Sequence, residues 1–92
     1  MPKNERNLAY HNVIGLEVEV VEHPDNSLIG LKGIVAMETR NTFLIKSIDG
    51  KERRVLKIGY FRFTLPNGRK VLIEGSKIVG RLEERIKRIR KL

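Results

Sequence analysis

A chain of 92 residues with 19 Lys and Arg against 11 Asp and Glu carries a formal charge of +8 and a pI near 10.2, the mark of one small, strongly basic domain. Such a length supplies one compact core but not a core together with an enclosed catalytic cleft, which argues against a multi-lobed enzyme. Cysteine is absent, removing disulfides, thiol nucleophiles and Cys-containing zinc sites, and no apolar run nears the ~18 residues of a membrane span.

The first residues, Met1 to Arg6, lead into no apolar stretch with a cleavage site, so a soluble, cytoplasmic protein is expected. Asn4 to Ile14 holds Leu8, Val13 and Ile14 among polar residues and is too short for a stable free helix, which makes 1–14 a flexible segment. Leu16, Val18 and Val20 alternate with Glu17 and Glu19, the period-two pattern of a strand with one buried face. His23 to Ser27 is a run of turn formers. Gly33 to Glu38 reads as a second strand, Thr39-Arg40-Asn41 as a turn and Thr42 to Ile48 as a third strand. Asp49-Gly50 marks a tight hairpin into Glu52 to Leu56. Tyr60 to Leu65 sets Phe61, Phe63 and Leu65 on one face, and Pro66-Asn67-Gly68 turns the chain into Lys70 to Glu74.

Six short strands with no helix between them predict an all-β fold, a small twisted antiparallel barrel of the SH3-like or Sm-like kind over 15–80. Closure removes sheet edges that would otherwise need a covering helix. From Arg81 onward the period becomes helical, with Leu82, Ile86 and Ile89 on one stripe. Glu83 and Glu84 in the first turn and Arg88, Arg90 and Lys91 in the last suit the helix dipole, so 81–92 is expected to be a basic helix.

Charge is clustered. The last twelve positions hold six basic and two acidic residues, Lys51, Arg53, Arg54 and Lys57 form a second cluster, and Arg62, Arg69 and Lys70 a third. Glu17, Glu19 and Glu22 form an outward acidic strip. A field of this sign favours a polyanion, because each neutralised phosphate releases condensed counterions; the competing account is the charged surface of a heat-adapted protein.

Catalytic chemistry finds little support. His11 and His23 lie in irregular segments, no metal-ligand spacing occurs, and Gly15, Gly30 and Gly33 flank strands where a phosphate-cradling loop would join strand to helix. Lys57 to Phe63 resembles the base-stacking strand of RNA-recognition motifs without its spacing, and Phe61 and Phe63 read as core. Backbone contact with structured RNA or duplex is the better reading, with Lys32, Arg40, Arg53, Arg54, Lys57, Arg62, Arg85 and Arg88 as candidate phosphate contacts.

Several segments resemble one family. His11 to Val21, Asn26 to Val35, Glu38-Thr39-Arg40-Asn41-Thr42-Phe43, Lys51 to Lys57, Phe61 to Gly68, Glu74-Gly75 and Gly80 to Arg85 are similar in order and spacing to archaeal ribonuclease P protein component 1. Leu56 and Leu82 stand where that family favours proline. The resemblance implies an Sm-like barrel and a subunit of the ribonucleoprotein that removes the 5′ leader of precursor tRNA. It further implies an RNA component that carries the active site and its Mg2+, no cofactor or metal on this chain, and a zinc-ribbon protein partner. Leu8, Tyr10, Val13 and Ile14 are then expected to order on that partner. Three rivals remain: a chromatin-type barrel coating duplex DNA, a ribosome-associated barrel, and a stand-alone nuclease.

Overall fold

A computed structural model of the chain describes residues 12–80; most of the expected N-terminal segment and the whole of the expected helix at 81–92 lie outside the described residues. Alternation of Glu17, Val18, Glu19 and Val20 produces β1 (Glu17–Glu22), with the valines buried. The same period builds β2 (Lys32–Glu38), β3 (Thr42–Lys46), β5 (Tyr60–Thr64) and β6 (Lys70–Glu74), while β4 (Glu52–Leu56), with only Val55 buried, is the return strand of the Asp49-Gly50 hairpin. All pairings are antiparallel, in the order β4-β3-β2-β1-β5-β6. Single 3-10 turns at Asn26–Leu28 and Gly75–Ile78 complete the elements.

Two bulges curl the sheet. In β1, Val20 faces Phe61 and Glu22 faces Tyr60, leaving Val21 extra. In β2, Val35 faces Ile45 and Met37 faces Leu44, leaving Ala36 extra. An extra residue bends its strand and sharpens the local twist. The bending brings Phe43 of β3 edge-on to Phe61 and Phe63 of β5, with centroids 5.5 and 5.8 Å apart, although β2 and β1 separate those strands in the sheet. The inner face therefore wraps around itself as the expected barrel, which is not fully closed, since β4 and β6 do not pair among the described residues. The β1 bulge also explains the acidic strip: the inserted residue restores Glu22 to the outward phase of Glu17 and Glu19.

Three glycines, Gly33, Gly59 and Gly75, permit backbone contacts that no side chain would allow. A Cβ on Gly33 would lie 2.3 Å from the Lys46 carbonyl oxygen, and one on Gly59, at φ +107°, would lie 2.0 Å from that of Glu22. His23 fastens the outer side of β4. Its Nδ1 accepts from the Asp25 N–H at 3.0 Å, which leaves Nε2 carrying the proton and donating to the Leu56 carbonyl at 3.1 Å. What looked like a plain loop residue is thus a clasp.

Three expectations need correction. β3 ends at Lys46 because Ser47 and Lys51 close a turn, Ser47 N–H donating to Lys51 C=O at 2.9 Å, and Ile48 is left in solvent. Val13, expected at a partner surface, is fully buried in the barrel core; its carbonyl accepts from Leu16 N–H at 3.1 Å. The packed unit accordingly begins before the expected boundary at residue 15.

Candidate nucleic-acid interface

Residues 12–80 contain eleven basic and eight acidic side chains, so most of the net positive charge lies in the flanking sequence. Six of these cations fall in three places. On the outer face of β1, β2, β5 and β6, Lys32, Arg62 and Lys70 surround a shallow depression shared with Glu17, Glu19 and Thr64. Arg62 Nη1 bonds Glu19 Oε1 at 3.1 Å with both side chains partly exposed, so its charge is partly engaged. Lys70 escaped the sequence-based choice, yet the hairpin at Pro66 to Gly68 sets Lys70 opposite Thr64, on the Arg62 face. That register was the available signal.

The second place is β4. Arg53 and Arg54 are both exposed but face opposite ways, Arg53 paired with the inward Ile45 and Arg54 with the outward Leu44. Arg53 is near two carboxylates. The Ser27 hydroxyl and N–H hold the Asp25 carboxyl below its usual range, with Arg53 adding a smaller pull. The Ser47 hydroxyl and the Lys51 N–H do the same for Asp49, again with a contribution from Arg53. Arg54 carries no such involvement among these carboxylates.

The third place is the turn between β2 and β3, which holds Arg40 exposed. Thr39 N–H donates to Thr42 C=O at 2.9 Å, Thr42 N–H donates to Thr39 Oγ1 at 3.1 Å, and the two hydroxyls share a hydrogen bond at 2.5 Å. Gly80 N–H donates to Arg40 C=O at 2.6 Å and Lys57 N–H to Asn41 C=O at 2.8 Å. The turn therefore anchors the point from which the basic sequence beginning at Arg81 departs.

Lys57 is not a surface contact, contrary to expectation. Only 2% exposed, its Nζ donates to Glu38 Oε2 at 2.9 Å, Thr39 C=O at 2.8 Å and Gly80 C=O at 3.1 Å. It also stands 5.0 Å from the centre of the Phe43 ring. Three donors meet three acceptors, and none is left for a phosphate. Its position two residues after buried Val55 was the overlooked signal, since strand parity points both inward.

Of the remaining expected residues, Ile14 is 44% exposed, while Arg85, Arg88, Leu8 and Tyr10 lie outside the described residues. The structure therefore brings Lys32 and Arg62 together and leaves Arg40 and the β4 arginines apart.

Comparison with known proteins decides the family. The model of the family Ribonuclease P/MRP, subunit p29 matches residues 6–88. The chain belongs to this p29 family. Ribonuclease P protein component 1 of Staphylothermus marinus is 49% identical over 90 residues, covering 97% of this chain and 98% of that protein. Its counterpart from Methanocaldococcus jannaschii is 46% identical over 83 residues, covering 89% of this chain and 86% of that protein. The solved structure of Mth11, a homologue of the human RNase P protein Rpp29, is similar at a TM-score of 0.61 and 42% identity, covering 82% of this chain and 97% of that one. The p29-family chain is thus a ribonuclease P protein subunit, a component of that complex built on an Rpp29-like barrel. None of its described helices is long and apolar enough to cross a membrane.

Proposed function

We propose that this p29-family subunit acts in the cytoplasm by holding the RNA component of ribonuclease P in its cleaving fold. The RNA supplies the active site and its Mg2+, and the chain supplies fixed cations without a cofactor of its own. Phosphates crowd where RNA helices pack, and cations mounted on a rigid barrel lower the number of mobile ions needed there. Arg40, Arg54, Lys32 and Lys70 on the barrel, with Arg85 and Arg88 in the following sequence, are the contacts assigned to RNA; Arg53 and Arg62 contribute less. A zinc-ribbon protein subunit is the second partner, received by Leu8, Tyr10 and Ile14. Precursor tRNA is reached through the assembled particle.

The observation that supports this reading most directly is the Gly80 to Arg40 hydrogen bond. It starts the most basic stretch of sequence beside an exposed arginine on a turn braced by two threonines. The test is precursor-tRNA cleavage at limiting Mg2+ with the RNA component and the zinc-ribbon subunit, with or without this chain. Stimulation that needs all components, and that weakens in Arg40→Ala, is the expected result. No stimulation, together with equal binding to random duplex DNA, overturns it in favour of a DNA-coating barrel.

A further inference from the structure

Among the described residues β6 lies at an outer edge of the sheet and pairs with β5 alone. Alternation decides which of its backbone groups face outward. Leu65 N–H donates to Arg69 C=O and Gly75 N–H to Gly59 C=O, both at 2.8 Å, so bonded pairs recur at every second residue and Val71 and Ile73 direct their groups to β5. The N–H and C=O of Lys70, Leu72 and Glu74 therefore point away from the sheet. Among the described residues these groups have no backbone partner. The three side chains are exposed on the outer face, Leu72 at 54%.

Among the described residues the opposite edge is guarded where β6 is not. At β4, the Leu56 carbonyl is taken by His23, and antiparallel self-pairing about Arg54 would set two arginines against each other. β6 has no proline, bulge or inward charge to blunt its edge. Its sequence Lys70-Val71-Leu72-Ile73-Glu74 is also complementary to itself when reversed.

We propose that β6 pairs antiparallel with β6 of a second copy of this chain, across a two-fold axis at Leu72. In that register Lys70 faces Glu74 of the other copy, Leu72 faces Leu72, and each facing pair exchanges both of its N–H···O bonds. The outward groups of the strand are those the pairing uses. A five-residue edge is small beside the ~1,200–2,000 Å² of a standard interface, so the pair is a concentration-dependent equilibrium and not an obligate dimer. The inference stands apart from the RNA role, which uses other residues on other strands except for Lys70.

Sedimentation equilibrium of the full chain, in a series reaching about 1 mM, tests it alongside amide hydrogen exchange. The mass is expected to rise toward two chains, with the Lys70, Leu72 and Glu74 amides gaining protection with concentration while those of Glu52 and Arg54 do not. Lys70→Glu or Glu74→Lys weakens association several-fold, and the double reversal restores it. Leu72→Pro removes the central outward donor and abolishes pairing. A single-chain mass throughout, or a dimer indifferent to charge reversal, overturns the proposal. So does protection of these amides that comes only with added RNA or zinc-ribbon subunit, which would assign the edge to that partner.

Discussion

Removing the Lys57 ammonium takes the ion-pair partner from Glu38, whose side chain is 5% exposed, and a donor from the Thr39 and Gly80 carbonyls. Breaking a buried ion pair by removing one partner costs roughly 3–5 kcal/mol, so Lys57→Ala is expected to lose up to that much in urea unfolding. Its salt slope for RNA binding, measured where the variant is still folded, is expected to match that of the unaltered chain. Asp25 and Asp49 give the acid limb of stability. Both carboxyls titrate below the ordinary aspartate range in the folded chain, so between folded and unfolded values the unfolded chain binds more protons. Their contribution is complete above the ordinary aspartate value and disappears as pH falls through the folded values. Unfolding followed by fluorescence-free far-UV circular dichroism from pH 6 downward is expected to show this decline, and Asp25→Asn with Asp49→Asn to flatten it.

At the scale of elements, Gly59 carries the junction between β4 and β5. Gly59→Ala must both adopt a positive φ and clear the Glu22 carbonyl, and a loss above about 2 kcal/mol is expected in a urea titration. The strands were legible in the sequence because most are short period-two runs ended by turn formers, while β4, whose Glu-Arg-Arg-Val-Leu does not alternate, was legible as the return strand of the Asp49-Gly50 hairpin. The bulges were not, since Val21 and Ala36 are apolar residues inside apolar runs and only cross-strand register reveals them. The two 3-10 turns were missed for a similar reason: three or four residues carry too little periodicity to register. Buried Val13 illustrates a third limit, because its burial comes from packing under strands distant in sequence.

For the whole molecule, charge sign was legible and charge placement only in part. Composition cannot separate Lys57, neutralised inside the barrel, from Arg54, exposed on its side. Nor can it show that Arg53 lies within electrostatic reach of Asp25 and Asp49 while its neighbour adds nothing to either. From that difference, Arg54→Ala is expected to reduce the salt slope of RNA binding by up to about one unit, and Arg53→Ala by less, in titrations across a salt series. Equal slopes would show that the carboxylates leave Arg53 free. The pairing of β1 with β5 has its own consequence for how the chain is made. Glu19 meets Arg62 across 43 residues of sequence, so during synthesis β1 through β4 can form a meander while one side of β1 still waits for its neighbour. Contacts so distant in sequence slow folding and prolong exposure of unpaired strands. The nascent protein is therefore most vulnerable to aggregation after β4 has emerged and before β5 arrives.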